Sequence, residues 1–123
     1  MPVGERDALR PNADELTPQF FDGYAERCRR LLTAEYPSHV AGELMWLISE
    51  PENGTHLPGG AYVMWAELTD AWDAGGTAER KRADELMRRA AEEFLALDPA
   101  TQLPQWCEEW AERIRSDETL WVR

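Results

Sequence analysis

Apolar residues recur along this chain mostly at three- and four-residue steps, the spacing that gathers them on one side of an α-helix. The first such run opens at Leu16-Thr17-Pro18. Thr17 can accept a backbone N–H as an N-cap, and Pro18 in the first helical position has no amide hydrogen to leave unpaired. Leu16 and Phe21 have the spacing of a hydrophobic staple. Phe20, Phe21, Tyr24, Cys28, Leu31 and Leu32 form the stripe, with Asp22 and Glu26 early and Arg29 and Arg30 late, as the helix dipole favours. Pro37 disfavours helical backbone just before it, so this helix is expected to stop near Glu35 or Tyr36.

Ser38 is the expected N-cap of the second helix, and Pro51 ends it near Ser49. Val40, Ala41, Leu44, Leu47 and Ile48 make its main face, while Met45 and Trp46 point elsewhere. A helix apolar over most of its circumference belongs in the centre of a fold. Gly42 lowers helix propensity by about 1 kcal/mol relative to Ala, and close packing against a neighbour is its expected use. The stretch Glu50–Gly60, EPENGTHLPGG, reads as an irregular Pro/Gly-rich loop. Asn53-Gly54 is a strong turn signal, but Pro51 and Pro58 on either side argue against a β-hairpin.

Ala61–Ala74 resumes helical spacing with Ala61, Met64, Trp65, Leu68, Ala71 and Trp72, and Gly75 suits the position just past a helix end. Its opening run AYVMW would also fit a short strand. Thr77 is the expected cap of the next helix, whose stripe is Ala83, Leu86, Met87, Ala90, Phe94 and Leu97. Asp84–Arg88, Glu85–Arg89, Arg88–Glu92 and Arg89–Glu93 are candidate ion pairs on its outer side. Asp98-Pro99 closes it. Pro104 opens the last helix, with Cys107, Trp110, Ala111 and Ile114 inward and Trp106 flanking. Leu120, Trp121 and Val122 are too apolar for an idle tail and are expected to dock on the body or on a partner.

Met1–Leu16 reads as a loosely ordered arm held through Leu9 and Leu16. Residues 17–123 then form a single all-α domain, a compact bundle of about five helices with one irregular loop. At 123 residues, 43% of them hydrophobic and six of them Trp, the chain has ample material for one core. No basic-then-apolar leader and no long uncharged apolar run occurs, so a cytoplasmic protein without a membrane partner is expected. In that reducing setting Cys28 and Cys107 read as buried thiols, since no CxxC or CxxH spacing is present.

Charge changes the picture more than composition does. The net charge is −11, and Leu31–Glu79 holds no Lys or Arg but eight acids: Glu35, Glu43, Glu50, Glu52, Glu67, Asp70, Asp73 and Glu79. Such a surface argues against nucleic acid as a partner and for a basic protein. Arg80, Lys81, Arg82, Arg88 and Arg89, interleaved with acids, read as a solvated helix face.

Chemistry is thinly represented. His39, His56, Glu43, Glu67 and Asp70 could supply nitrogen and carboxylate ligands, but HExxH and the Glu-x-x-His pairs of helical di-iron sites are missing. Cys28 or Cys107 with a histidine would need a thiol of lowered pKa, which nothing nearby in sequence provides. Gly59-Gly60 before a helix is a weak anion cradle. No cofactor motif is present.

Two function classes follow. In the first, a small acidic inhibitory or partner-binding protein docks on a basic protein through carboxylates and exposed aromatics. In size, acidity and helical character the chain resembles bacteriocin immunity proteins, which neutralise a toxin enzyme; no run of residues carries that likeness. The expected contact residues are Glu50, Glu52, His56, Tyr62, Trp65, Glu67, Asp70 and Asp73. In the second, an aromatic-lined central pocket holds a small molecule or supports an enzyme, with the histidines and acids as its polar groups. A homodimer through Trp-rich helices is a further possibility.

Overall fold

Thr17 opens the first helix as expected. Its Oγ1 accepts the Phe20 N–H at 3.2 Å, and Pro18 takes the first helical position. The computed structural model describes residues 13–120, and among them five long helices form: α1 Pro18–Leu31, α2 Pro37–Ser49, α3 Gly59–Ala74, α4 Thr77–Ala96 and α5 Pro99–Arg115. A 3-10 turn at Ala13–Glu15 precedes them, and a single helical turn, Pro51–Gly54, lies between α2 and α3. No strand occurs among the described residues, so AYVMW belongs to α3.

The packing follows from which stripe each helix buries. α1 lies against α2 and α4, and α3 lies against α2, α4 and α5. Helices α1 to α4 thus close a ring, α5 covers the remaining side of α3, and the 3-10 turn rests on α5. α1 buries Phe20, Tyr24, Cys28 and Leu31, and α3 buries Ala61, Met64, Trp65, Leu68 and Ala71. Both sets keep the predicted period. Tyr24 is the polar point of this core: its ring lies 4.2 Å from that of Phe94, and its hydroxyl accepts the Trp65 indole N–H at 2.7 Å. A buried hydroxyl and a buried indole thereby satisfy each other.

Helix ends depart from expectation where distant residues intervene. α1 stops at Leu31, not near Glu35, because Arg88 of α4 reaches across to its C-terminal end. Nη1 of Arg88 donates to the carbonyls of Leu31 at 2.8 Å and Leu32 at 2.9 Å, and Nη2 donates to Ala34 O at 2.9 Å. A guanidinium on orphan carbonyls at a helix C-terminus serves as both cap and dipole partner. Arg88 is therefore half-buried rather than part of a solvated face, and its ion pair with Asp84, at 2.9 Å, orients the fork. Ser38 does not cap α2. Pro37 takes the first position with Tyr36 before it, and the Ser38 hydroxyl is buried with no hydrogen-bond partner among the described residues. At its other end α2 stops at Ser49 ahead of Pro51, as expected, and Asn53 holds that end, its Nδ2 donating to Leu47 O at 2.9 Å.

α4 starts after Gly76, with Thr77 as its first residue and not its cap. α5 begins at Pro99, one turn earlier than expected, and runs through Pro104. Asp98 makes that start possible, since its carbonyl accepts from Gln102 N at 2.9 Å and its carboxylate from the Thr101 hydroxyl at 3.0 Å. Pro104 then forfeits one ladder bond without ending the helix. On the neighbouring helix, Glu93 turns from its expected arginine to the indoles of α5, accepting from Trp106 Nε1 at 3.2 Å and Trp110 Nε1 at 2.8 Å. Trp106 is buried, not flanking.

The ends of the described region are tied in. Ala13 and Leu16 are buried, and Leu120 is 1% exposed. Asp117 fastens the tail, accepting from Leu120 N at 3.1 Å and from Arg82 Nε at 2.9 Å. Leu9, Trp121 and Val122 lie outside the described residues. Among the described residues no helix is long and apolar enough to cross a membrane.

Candidate functional site

α2 buries Val40, Ala41, Leu44 and Ile48, so Trp46, two residues past Leu44, projects from the opposite side. Its side chain is 66% exposed, the most exposed of the large apolar residues described. Across from it on α3, Tyr62 is 42% and Val63 39% exposed. Between the helices lies a shallow depression of about 210 Å³ lined by Gly42, Met45, Trp46, Ser49 and Tyr62. Thr69 of α3 donates to the Met45 sulfur at 3.9 Å, pinning that side chain.

The surrounding charge is acidic, though less uniformly than the sequence alone indicates. Glu43 is engaged across the α1–α2 interface by Arg30, in a close ion pair, and by Arg27 Nε at 3.8 Å. Glu79 is buried against the start of α4. Glu50 is half-buried and Glu52 exposed in the turn after α2, while Glu67 is half-buried and Asp70 and Asp73 are exposed along α3. His56 is half-buried in the turn before α3. Of the eight residues singled out in the sequence, Tyr62 alone lines the depression. Trp65 is fully buried on Tyr24 and offers no side chain to a partner, because it falls on the α3 stripe that faces the core. Gly42, Met45 and Val63 were not foreseen. The readable signal was Trp46, an aromatic off its own helix's apolar stripe.

A second aromatic cluster sits where α2 and α4 begin. Tyr36, 52% exposed, stacks on His39 with ring centroids 5.4 Å apart and meets Trp72 edge-on at 6.1 Å. The Arg80 guanidinium lies 4.8 Å over the Trp72 ring, and its Nε donates to Trp72 O at 2.9 Å. An open depression of about 550 Å³ beside it is lined by Trp72, Gly75, Gly76, Thr77, Arg80 and Lys81, among others. Glu79 closes off the anion-binding potential of this helix start. A Cβ on Gly76 would lie 3.1 Å from the Glu79 carboxylate, so a negative charge already stands at this helix start and disfavours a second anion there. Gly75 is there for space, since its Cβ would come within 2.4 Å of Ala71 O.

The Gly59-Gly60 pair is likewise explained by packing. A Cβ on Gly60 would stand 3.2 Å from both Ala111 Cβ and Cys107 O, so the glycine lets α3 approach α5. A third depression, about 260 Å³, runs along α5 past Thr101, Gln105 and Trp106. His39, Glu43, His56, Glu67 and Asp70 line none of these three depressions. No group of three or more metal-ligating side chains occurs among the described residues.

Cys28 and Cys107 are both buried and unbridged. Burial pushes the Cys28 thiol up to about 12, and it raises Cys107 and Tyr24 as well. A thiolate is therefore disfavoured at both sites, the reverse of what a nucleophile needs. The consequence for stability has a definite sign. Below the ordinary thiol value of 9.0 both folded and unfolded chains keep the proton, and nothing is lost. Above it the unfolded chain releases protons that the folded chain holds, so stability falls by up to about 1.4 kcal/mol per pH unit per thiol. Urea midpoints are expected to be flat from neutral to about pH 9 and to fall beyond, with native thiols inert to a disulfide reagent until urea is added.

No family model, curated protein or solved structure matches this chain.

Proposed function

We propose that this protein is a partner-binding or inhibitory protein that docks an acid-flanked aromatic face, centred on Trp46 between α2 and α3, against a basic protein surface. The observation that carries this reading is the exposure of Trp46, 66%, beside Tyr62 and Val63 in a stretch of chain with no Lys or Arg. A tryptophan in water beside a depression has the form of an interface anchor, the residue type most over-represented among energetic hot spots. The acids steer a cationic partner into encounter, and the aromatics hold it once water is expelled. An immunity-type protein that covers a cationic toxin is the concrete version. Self-association through this face would oppose acids to acids, so a basic partner is favoured over a second copy.

The test starts by capturing partners from native lysate with wild-type bait and with Trp46→Ala bait of equal helicity. A basic protein held only by the wild type is expected. Its association rate should fall at least tenfold as salt rises from about 50 to about 500 mM, because exposed charges are screened over that range. A rate indifferent to salt would count against the steering role of the acids.

A further inference from the structure

From Gly42 we infer that the α2–α3 depression is built to admit an apolar side chain carried on a cationic helical segment of the partner. This deepens the docking reading above and rests on it. Gly42 sits in the interior of α2, where glycine is among the poorest helix formers. Close packing within the chain would justify it, and does at Gly60, where α5 is 3.2 Å from the position of a Cβ. At Gly42 a Cβ would meet nothing within 4 Å. The missing side chain therefore serves no internal contact.

What it does serve is the depression. Gly42 lines it together with Met45, Trp46, Ser49 and Tyr62, so a methyl group there would stand in open space at its edge. The walls are an indole, a phenol ring and a thioether, which favour an apolar guest. The acids Glu50 and Glu52 beyond the end of α2, and Asp73 along α3, supply the complement for the cations of the same segment. A cationic amphipathic helix presents both features at helical spacing.

Gly42→Ala separates the two demands on this position. The variant should melt about 2–5 °C above wild type, since it gains helix propensity and disturbs no contact. The binding probes are two synthetic peptides of equal positive charge, one of Lys and Leu with leucines at three- and four-residue steps, the other of Lys and Ser. Emission of Trp46 is the readout, with Trp46→Phe as the blank. Wild type should bind the Lys/Leu peptide at least about tenfold more tightly than the Lys/Ser peptide, and Gly42→Ala should erase most of that preference. A Gly42→Ala variant that melts below wild type, or that keeps the full preference for Lys/Leu, overturns the role given to Gly42. Equal binding of both peptides to wild type overturns the apolar guest while leaving the basic-partner reading in place. Failure of both cationic peptides to bind overturns the two together.

Discussion

Replacing Trp65 by alanine is expected to cost about 3–5 kcal/mol in urea unfolding, a large share of the stability of a domain this size. Trp65 is fully buried, packs edge-on against Tyr24 with ring centroids 6.4 Å apart, and donates to the Tyr24 hydroxyl at 2.7 Å. Truncation opens a cavity beside three packed helices and leaves that hydroxyl without its donor, so transfer and hydrogen-bond terms add. Trp65→Phe should recover part of the volume but not the donor, and so fall between. Below its own midpoint, Trp65→Ala should keep its affinity for a captured partner, because nothing of Trp65 reaches the surface. A loss under about 1 kcal/mol would mean that the core does not close on Tyr24 as described.

Arg88→Ala is expected to lose about 2–4 kcal/mol, more than substitution of an ordinary surface arginine. Three backbone carbonyls at the end of α1 receive its N–H groups at 2.8 to 2.9 Å. The side chain is 29% exposed, so water replaces part of what is removed and the figure stays well below the sum of three charged hydrogen bonds. Arg88→Lys restores the charge but not the planar fork, and should recover less than half of the loss. Amide exchange should rise in the last turn of α1 in both variants. Full recovery by lysine would reduce the role of Arg88 to that of a point charge.

These two residues also show what was and was not legible in the sequence. The helical stripes were, because a buried face repeats every three or four residues whatever it packs against. Phe20, Tyr24, Cys28 and Leu31 fall inside as the spacing requires, as do Met64, Trp65 and Leu68. Helix ends set by local chemistry were legible too, as at Thr17. Ends set from afar were not. The stop of α1 depends on an arginine beyond two intervening helices, and the early start of α5 depends on how Asp98 folds over its own turn. Periodicity carries no record of either. For the candidate site, the acidic run and the aromatics within it directed attention to α2 and α3, the pair that frames the depression beside Trp46. Which aromatic faces out was decided by phase on the helix, which turns Trp65 inward and Trp46 outward. The expected use of Gly42, close packing against a neighbour, is overturned by the open space at its Cβ position: a glycine reads the same in sequence whatever lies beside it.

The claim that α2 and α3 present a docking face rests most heavily on Trp46, and the affinity of a captured basic partner for Trp46→Ala tests it most directly. Exposed as it is, Trp46 should be removable with little change in the urea midpoint. Isothermal titration with wild type and variant should then show a loss of at least about 2 kcal/mol in binding, roughly thirtyfold in Kd, as expected for an anchor at the centre of an interface. An unchanged Kd in a variant that folds normally would contradict the account.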